Sequence, residues 1–131
     1  MTMTGRCLCG AISYEIEGEL QMCGVCHCKN CQRQAGSAYS VLFGVGDQDI
    51  AISGDLTTYD DHGDSGNVVH RHFCGKCGSP VMTTLPTQPG MAYIKAGTLD
   101  DTSVLDPQIH FWTRSKQPWV ETDPDILQMP R

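Results

Sequence analysis

Eight cysteines in 131 residues, gathered into three tight groups, constrain this chain more than any other feature. They are Cys7 and Cys9 in "CLCG", then Cys23, Cys26, Cys28 and Cys31 in "CGVCHCKNC", then Cys74 and Cys77 in "FCGKCG". A chain of this length fits one domain, taken as residues 1–131, and can bury roughly two-thirds of its unfolded surface. Its apolar stock is thin, however: three Phe, two Trp and four Tyr, with a mean hydropathy of −0.25. The sulfurs are expected to supply cohesion that the core lacks.

Disulfides are one way to do so, and the sequence argues against them. The opening "MTMTGRCLCG" has no apolar h-region of the kind a secretory signal carries. The longest unbroken apolar run is four residues, 91–94, against the roughly 20 that span a bilayer. The expected location is cytoplasmic, where thiols stay reduced. Net charge is −6 and no two basic residues are adjacent, so no clustered basic face for nucleic acid is expected.

Fourteen Gly and seven Pro break the chain into short apolar stretches, which predicts a mainly β fold of antiparallel sheets with little helix. In "GAISYEIEG" strict alternation puts Ile12, Tyr14 and Ile16 on one face of a strand. "SVLFGV", "DIAIS", "VVHRHF", "PVMTTL", "MAYIKA" and "IHFW" read as further strands. A short helix is expected after Cys31 in "QRQAGSA", closed by Gly36. The metal-ligand candidates are expected on loops between strands, and the tail "TDPDILQMPR" is expected to drape over the surface.

"FCGKCG" is the pattern of a zinc knuckle, a tight turn whose N–H groups point at two thiolates. Tetrahedral zinc wants four ligands. A C-x-C pair on an extended strand would place two more sulfurs on one side. Cys7, Cys9, Cys74 and Cys77 thus predict a closed structural zinc site. The competing reading, a C-x-x-C redox couple, belongs at a helix N-terminus after a βαβ pattern, and none precedes Cys74. The central group leaves two readings open. Cys23, Cys26, Cys28 and Cys31 form a second closed site, or Cys26, Cys28 and Cys31 form a three-ligand site with one position left for water or substrate. A closed site only holds; an open one acts as a Lewis acid.

"GRCLCGAISYEIEG", "CHCKNCQRQAGSAY", "FCGKCGSPV", "KAGTLDD" and "HFWTRSKQPWVE", in that order, resemble the glutathione-dependent formaldehyde-activating enzyme family, also called the centromere-protein-V family. The resemblance implies a zinc-bearing β-tent fold. Position by position it matches Cys7, Cys9, Cys74 and Cys77 to the structural zinc ligands. Cys26, Cys28 and Cys31 match a second, more labile zinc site that a thiol approaches. It also implies a small thiol such as glutathione and a small aldehyde as partners. Cys23 departs from the family pattern; it is either a small buried bystander or a fourth ligand that shuts the second site.

Other residues carry weaker signals. Arg6, Lys29, Arg33, Arg71 and Lys76 lie within three positions of a cysteine; charge balance around thiolates is expected, with Lys29 and Arg33 the candidates for neutralising the open site. His27, between two ligands on an extended stretch, points away from them and suits a supporting or surface role. His70 and His72 would share a strand face, more as a half-exposed pair than as ligands. Asp100 and Asp101 are expected to cap a turn, and Trp112 and Trp119 to pack the sheet. Two functions follow: a zinc-dependent carbon–sulfur lyase-type enzyme acting on thiol adducts, for which no general base can be named, or a non-catalytic zinc module used for binding.

Overall fold

The alternation of "SYEIE" becomes an actual strand. The computed structural model describes residues 2–63 and 65–131, and within it Tyr14 and Ile16 are buried while their neighbours face solvent. Eleven strands and one helix follow in the order β1 (Thr2–Arg6), β2 (Ser13–Glu17), β3 (Met22–Cys26), α1 (Lys29–Ala35), β4 (Ser40–Gly46), β5 (Ile50–Ser53), β6 (Leu56–His62), β7 (Val68–Cys74), β8 (Pro80–Thr84), β9 (Met91–Lys95), β10 (Ile109–Phe111) and β11 (Leu127–Gln128). The fold is mainly β, as expected, with short 3-10 turns between strands.

Two sheets share the work. β1-β2-β5 form a small antiparallel sheet, and the other eight strands form a large one in the order β11-β10-β3-β4-β9-β8-β7-β6. The large sheet is antiparallel except at one end, where β10 runs parallel to both β3 and β11. Met3, Tyr14 and Ile16 from the small sheet meet Phe43, Val45, Val81 and Ile94 from the large one, and Ile12 and Leu99 close the gap. This is the core, on one face of the large sheet. Alternation along β4 and β9 turns Leu42, Tyr93 and Lys95 to the opposite face, where a cavity lies.

Four strands escape the sequence reading, each for a physical reason. β1, "TMTGR", buries only Met3 and Gly5, too little to register as an apolar pattern. β6 is an edge strand with mostly exposed residues, so its "LTTYDDH" has no inward face to display. β3 hid behind its cysteines, because apolar burial there is by sulfur and Val25. β11 lies in the tail expected to drape. Instead residues 127 and 128 add a parallel strand to β10, and the N–H of Met129 donates to the carbonyl of His110 at 2.8 Å.

The helix begins earlier than expected. Cys28 is its N-cap, with its sulfur accepting the N–H of Cys31, so Cys31 lies inside the first turn; Gly36 ends the helix as expected. The loop placement of the metal-ligand candidates therefore holds only in part: Cys26 closes β3, Cys74 closes β7, and Cys31 is helical.

Candidate metal centres

The first group of sulfurs forms where two chain reversals meet. After β1 the chain turns at once: the N–H of Gly10 donates to the carbonyl of Cys7 at 3.2 Å, and that of Cys7 to Ile12 at 3.0 Å. Cys7 and Cys9 thus occupy a turn, which corrects the expectation of an extended strand. The turn does what a strand cannot, aiming the N–H groups of Ile12 and Ala11 at the two sulfurs, at 3.3 and 3.5 Å. The knuckle after β7 works the same way. The N–H of Cys77 reaches the Cys74 sulfur at 3.4 Å, and Gly78 takes the left-handed φ of 81° that the reversal needs.

The Cys7 and Cys9 sulfurs lie 3.7 Å apart, and those of Cys9 and Cys74 3.8 Å. Ligand atoms of Cys7, Cys9, Cys74 and Cys77 all fall within 4.8 Å of one another. Four sulfurs set tetrahedrally about 2.3 Å from a zinc ion would be about 3.8 Å apart, so the donor set and its spacing fit that metal. Cys7 and Cys74 belong to the core, with Cys77 packed against it. Hydrogen bonds from the side chain and backbone of Ser79 draw the Cys77 thiol down to about 5, readying it as a thiolate ligand.

The second group has three members. β3 delivers Cys26, the helix cap delivers Cys28 and the first turn delivers Cys31, with ligand atoms again within 4.8 Å. Among the described residues no other group of three or more metal-binding side chains gathers this closely. Cys23 sits on the same strand as Cys26 but three residues earlier, hence on the opposite face. It is buried in the core, paired in register with Phe43. Burial raises its thiol pKa, so it behaves as a small apolar residue. All eight cysteines are free thiols.

The three sulfurs line a cavity of about 320 Å³ on the face of the large sheet away from the core. Phe111, Trp112, Met22 and Leu42 give it apolar walls. Trp112 holds the left-handed backbone conformation at φ 57°, alone among non-glycine described residues. That conformation costs on the order of 1–3 kcal/mol and concentrates where a site needs a side chain aimed. Two buried cations complete the lining, Arg71 at 4 % exposure and Lys95 at 7 %. The Arg71 Nε donates to Asp61 at 2.9 Å, and the Lys95 Nζ donates to the Ser40 hydroxyl at 2.6 Å. Hydrogen bonds from the Cys26 and Cys28 thiols, aided by the charges of Lys95 and Arg71, overcome burial and hold the Cys31 thiol down at about 2. Cys26, whose thiol faces the Cys28 and Cys31 sulfurs, is pushed far up. The donor set is thus three buried or half-buried sulfurs facing a cavity, with countercharge nearby.

A family model for the glutathione-dependent formaldehyde-activating enzymes matches residues 2–115. The chain belongs to that family. Its fold is also similar to the crystal structure of a Rhodobacter sphaeroides protein, at TM-score 0.61 and 21% identity, over 80% of this chain and 92% of that one. No curated protein matches the chain. Membership in the glutathione-dependent formaldehyde-activating enzymes accounts for the order of the motifs along the chain; the geometry adds which residues surround them.

Several expectations are corrected in this family member. Lys29 and Arg33 are exposed, and Arg33 lines a neighbouring depression with Tyr59 and Asp61; the cations beside the trio are Arg71 and Lys95. Lys95 carried one faint signal, a charge within the otherwise apolar run "MAYIKA". His27 is fully buried, its Nε2 2.8 Å from Nδ1 of His110 and its carbonyl accepting from Gln32 at 2.7 Å. It therefore supports the ligand loop from beneath and has no surface role. Nothing in the sequence flagged His110. His70 pairs with Asp60, and His72 lies between Thr58 and Thr84, so both serve the strand face as expected. Asp101 caps the turn at Ser103, and Asp100 accepts from Thr4. Trp119 is 71 % exposed and outside the core, whereas Trp112 walls the cavity. Among the described residues no helix is long and apolar enough to cross a membrane.

Proposed function

We propose that this chain is a zinc-dependent carbon–sulfur lyase-type enzyme acting on thiol adducts, joining a small thiol such as glutathione to a small aldehyde such as formaldehyde, and splitting the adduct in reverse. It acts in the cytoplasm, where free thiols are abundant and its cysteines stay reduced. Cys7, Cys9, Cys74 and Cys77 hold a structural zinc, and Cys26, Cys28 and Cys31 hold a second, more labile one. A single observation carries this reading. The trio lines a cavity beside two buried cations, while the quartet, with Cys7 and Cys74 in the core, Cys77 packed against it and Cys9 exposed, lines no part of that cavity. Zinc, when held by these three thiolates, would supply a Lewis acid and would stabilise a thiolate near neutral pH.

The chain's own residues do the rest. Phe111, Trp112 and Leu42 shield the reacting groups from water, which strengthens every charge interaction inside. Holding thiol and aldehyde together in a cavity of this size replaces a bimolecular encounter by an oriented one. In the forward reaction the thiol releases its proton to solvent, and the resulting thiolate pair forms the carbon–sulfur bond. The carbonyl π pair moves to oxygen, and that oxygen takes a proton back from water, so that thiol and aldehyde add with no net loss or gain.

The test compares two serines. Cys28→Ser should lose one zinc equivalent and all acceleration of thiol–aldehyde exchange above background, with the fold intact by circular dichroism. Cys74→Ser should lose the fold. If both variants unfold alike and the wild type accelerates no exchange over a panel of thiols and aldehydes, the chain is a non-catalytic zinc module instead.

A further inference from the structure

Two cations face the cysteine trio, and they are not equivalent. Arg71 has its charge answered by the Asp61 carboxylate at 2.9 Å. Lys95 has no such carboxylate among the described residues: the hydrogen bond it makes there runs to a neutral hydroxyl, Ser40, although an ammonium carries three donors. Among the described residues lining the cavity there is no carboxylate. A Lys buried to this degree with no carboxylate paired to it among the described residues is costly, because desolvation opposes the charged form; the charge it does face is that of the trio's sulfurs. Its place on β9 follows from strand alternation, which turns Tyr93 and Lys95 to the cavity while Ala92 and Ile94 fill the core.

The charge balance gives that cost a purpose. Three thiolates around a divalent ion leave a formal charge of about −1. The Arg71–Asp61 pair adds nothing net. An anionic thiol entering the open position would meet like charge, were Lys95 not there to cancel it. The geometry points to Lys95 as the specificity-determining residue of this site, the fixed countercharge that makes it accept thiols bearing a negative charge over neutral or cationic ones. The inference rests on the thiol-binding reading of the trio and narrows it to a substrate class. Ser40 is the positioning partner, its hydroxyl fixing the Nζ of a residue that shares the cavity wall with the three sulfurs.

The experiment is a binding titration of the zinc-loaded protein, by calorimetry, with three small thiols of similar size: 3-mercaptopropionate, 2-mercaptoethanol and cysteamine. The wild type is expected to bind the anionic thiol at least about tenfold more tightly than the cationic one, with the neutral one between. Lys95→Met should collapse that order to within about threefold, and Lys95→Arg, which keeps the charge, should restore most of it. Zinc content measured on each variant shows whether the trio still holds its metal. If the wild type binds all three thiols equally, or if Lys95→Met keeps its zinc and the wild-type order, Lys95 does not set the preference and the inference falls while the thiol site stands. If the zinc-loaded wild type binds no thiol at all, the functional reading itself falls, and the inference with it.

Discussion

Cys23 shows how much one side-chain direction decides. It lies three residues before Cys26 on one strand, so the pleat sends the two sulfurs to opposite faces, and Cys23 ends in the core beside Phe43. Cys23→Ala should therefore leave zinc content unchanged, measured by mass spectrometry, and cost about 1 kcal/mol of stability for the small cavity left. A lost zinc equivalent would instead make Cys23 a ligand. His27 and His110 set a pH dependence. Burial lowers the pKa of both, and for His27 the neighbouring charges of His110 and Lys116 add to it. Since the folded values fall below the unfolded one, near 6.5, the neutral pair stabilises the fold above that pH, and this stability is lost as pH falls through the folded values. Thermal midpoints at saturating zinc should decline from pH 7 toward pH 5. In His110→Gln the slope should be shallower.

Elements work here by bringing ligand turns into register. β3 carries Cys26 at its end, and β10 runs parallel to it with Phe111 opposite Cys26, which puts an aromatic wall beside the trio. That pairing depends on a close approach: a Cβ on Gly24 would stand 2.9 Å from Cγ2 of Ile109 and 3.2 Å from the Ile109 carbonyl. Gly24→Ala should therefore cost about 1–3 kcal/mol in denaturant unfolding, through overpacking of the β3–β10 seam. It should also disturb the trio more than the quartet, read as earlier release of the second zinc under a chelator. The same logic explains the helix. Its first turn is pinned by the Cys28 sulfur accepting the N–H of Cys31, so two candidate ligands are set by one local hydrogen bond.

On the scale of the molecule, the two sheets share a core of few large side chains, and the quartet ties the N-terminal turn to the knuckle some 65 residues later. Structural zinc contributes on the order of 10 kcal/mol of folding free energy, comparable with the whole stability of an ordinary domain, about 5–15 kcal/mol. Full removal of zinc by a strong chelator should abolish the cooperative thermal transition, while partial removal that takes only the labile equivalent should leave it in place. A cooperative transition surviving in metal-free protein would show that the apolar core suffices alone.

The sequence by itself determined which sulfurs lie near one another along the chain, that the chain alternates as strands, and which family it joins. Those are matters of short-range spacing, where covalent geometry and the two-residue period of a strand leave little freedom. The tertiary structure alone decided which face each sulfur takes, that Lys95 and Arg71 attend the trio in place of Lys29 and Arg33, and that Trp112 walls a cavity while Trp119 faces water. These depend on pairings such as β4 with β9 and β3 with β10, between residues about 50 and 85 apart in the chain, whose registry is set by packing of the whole core and by no local signal.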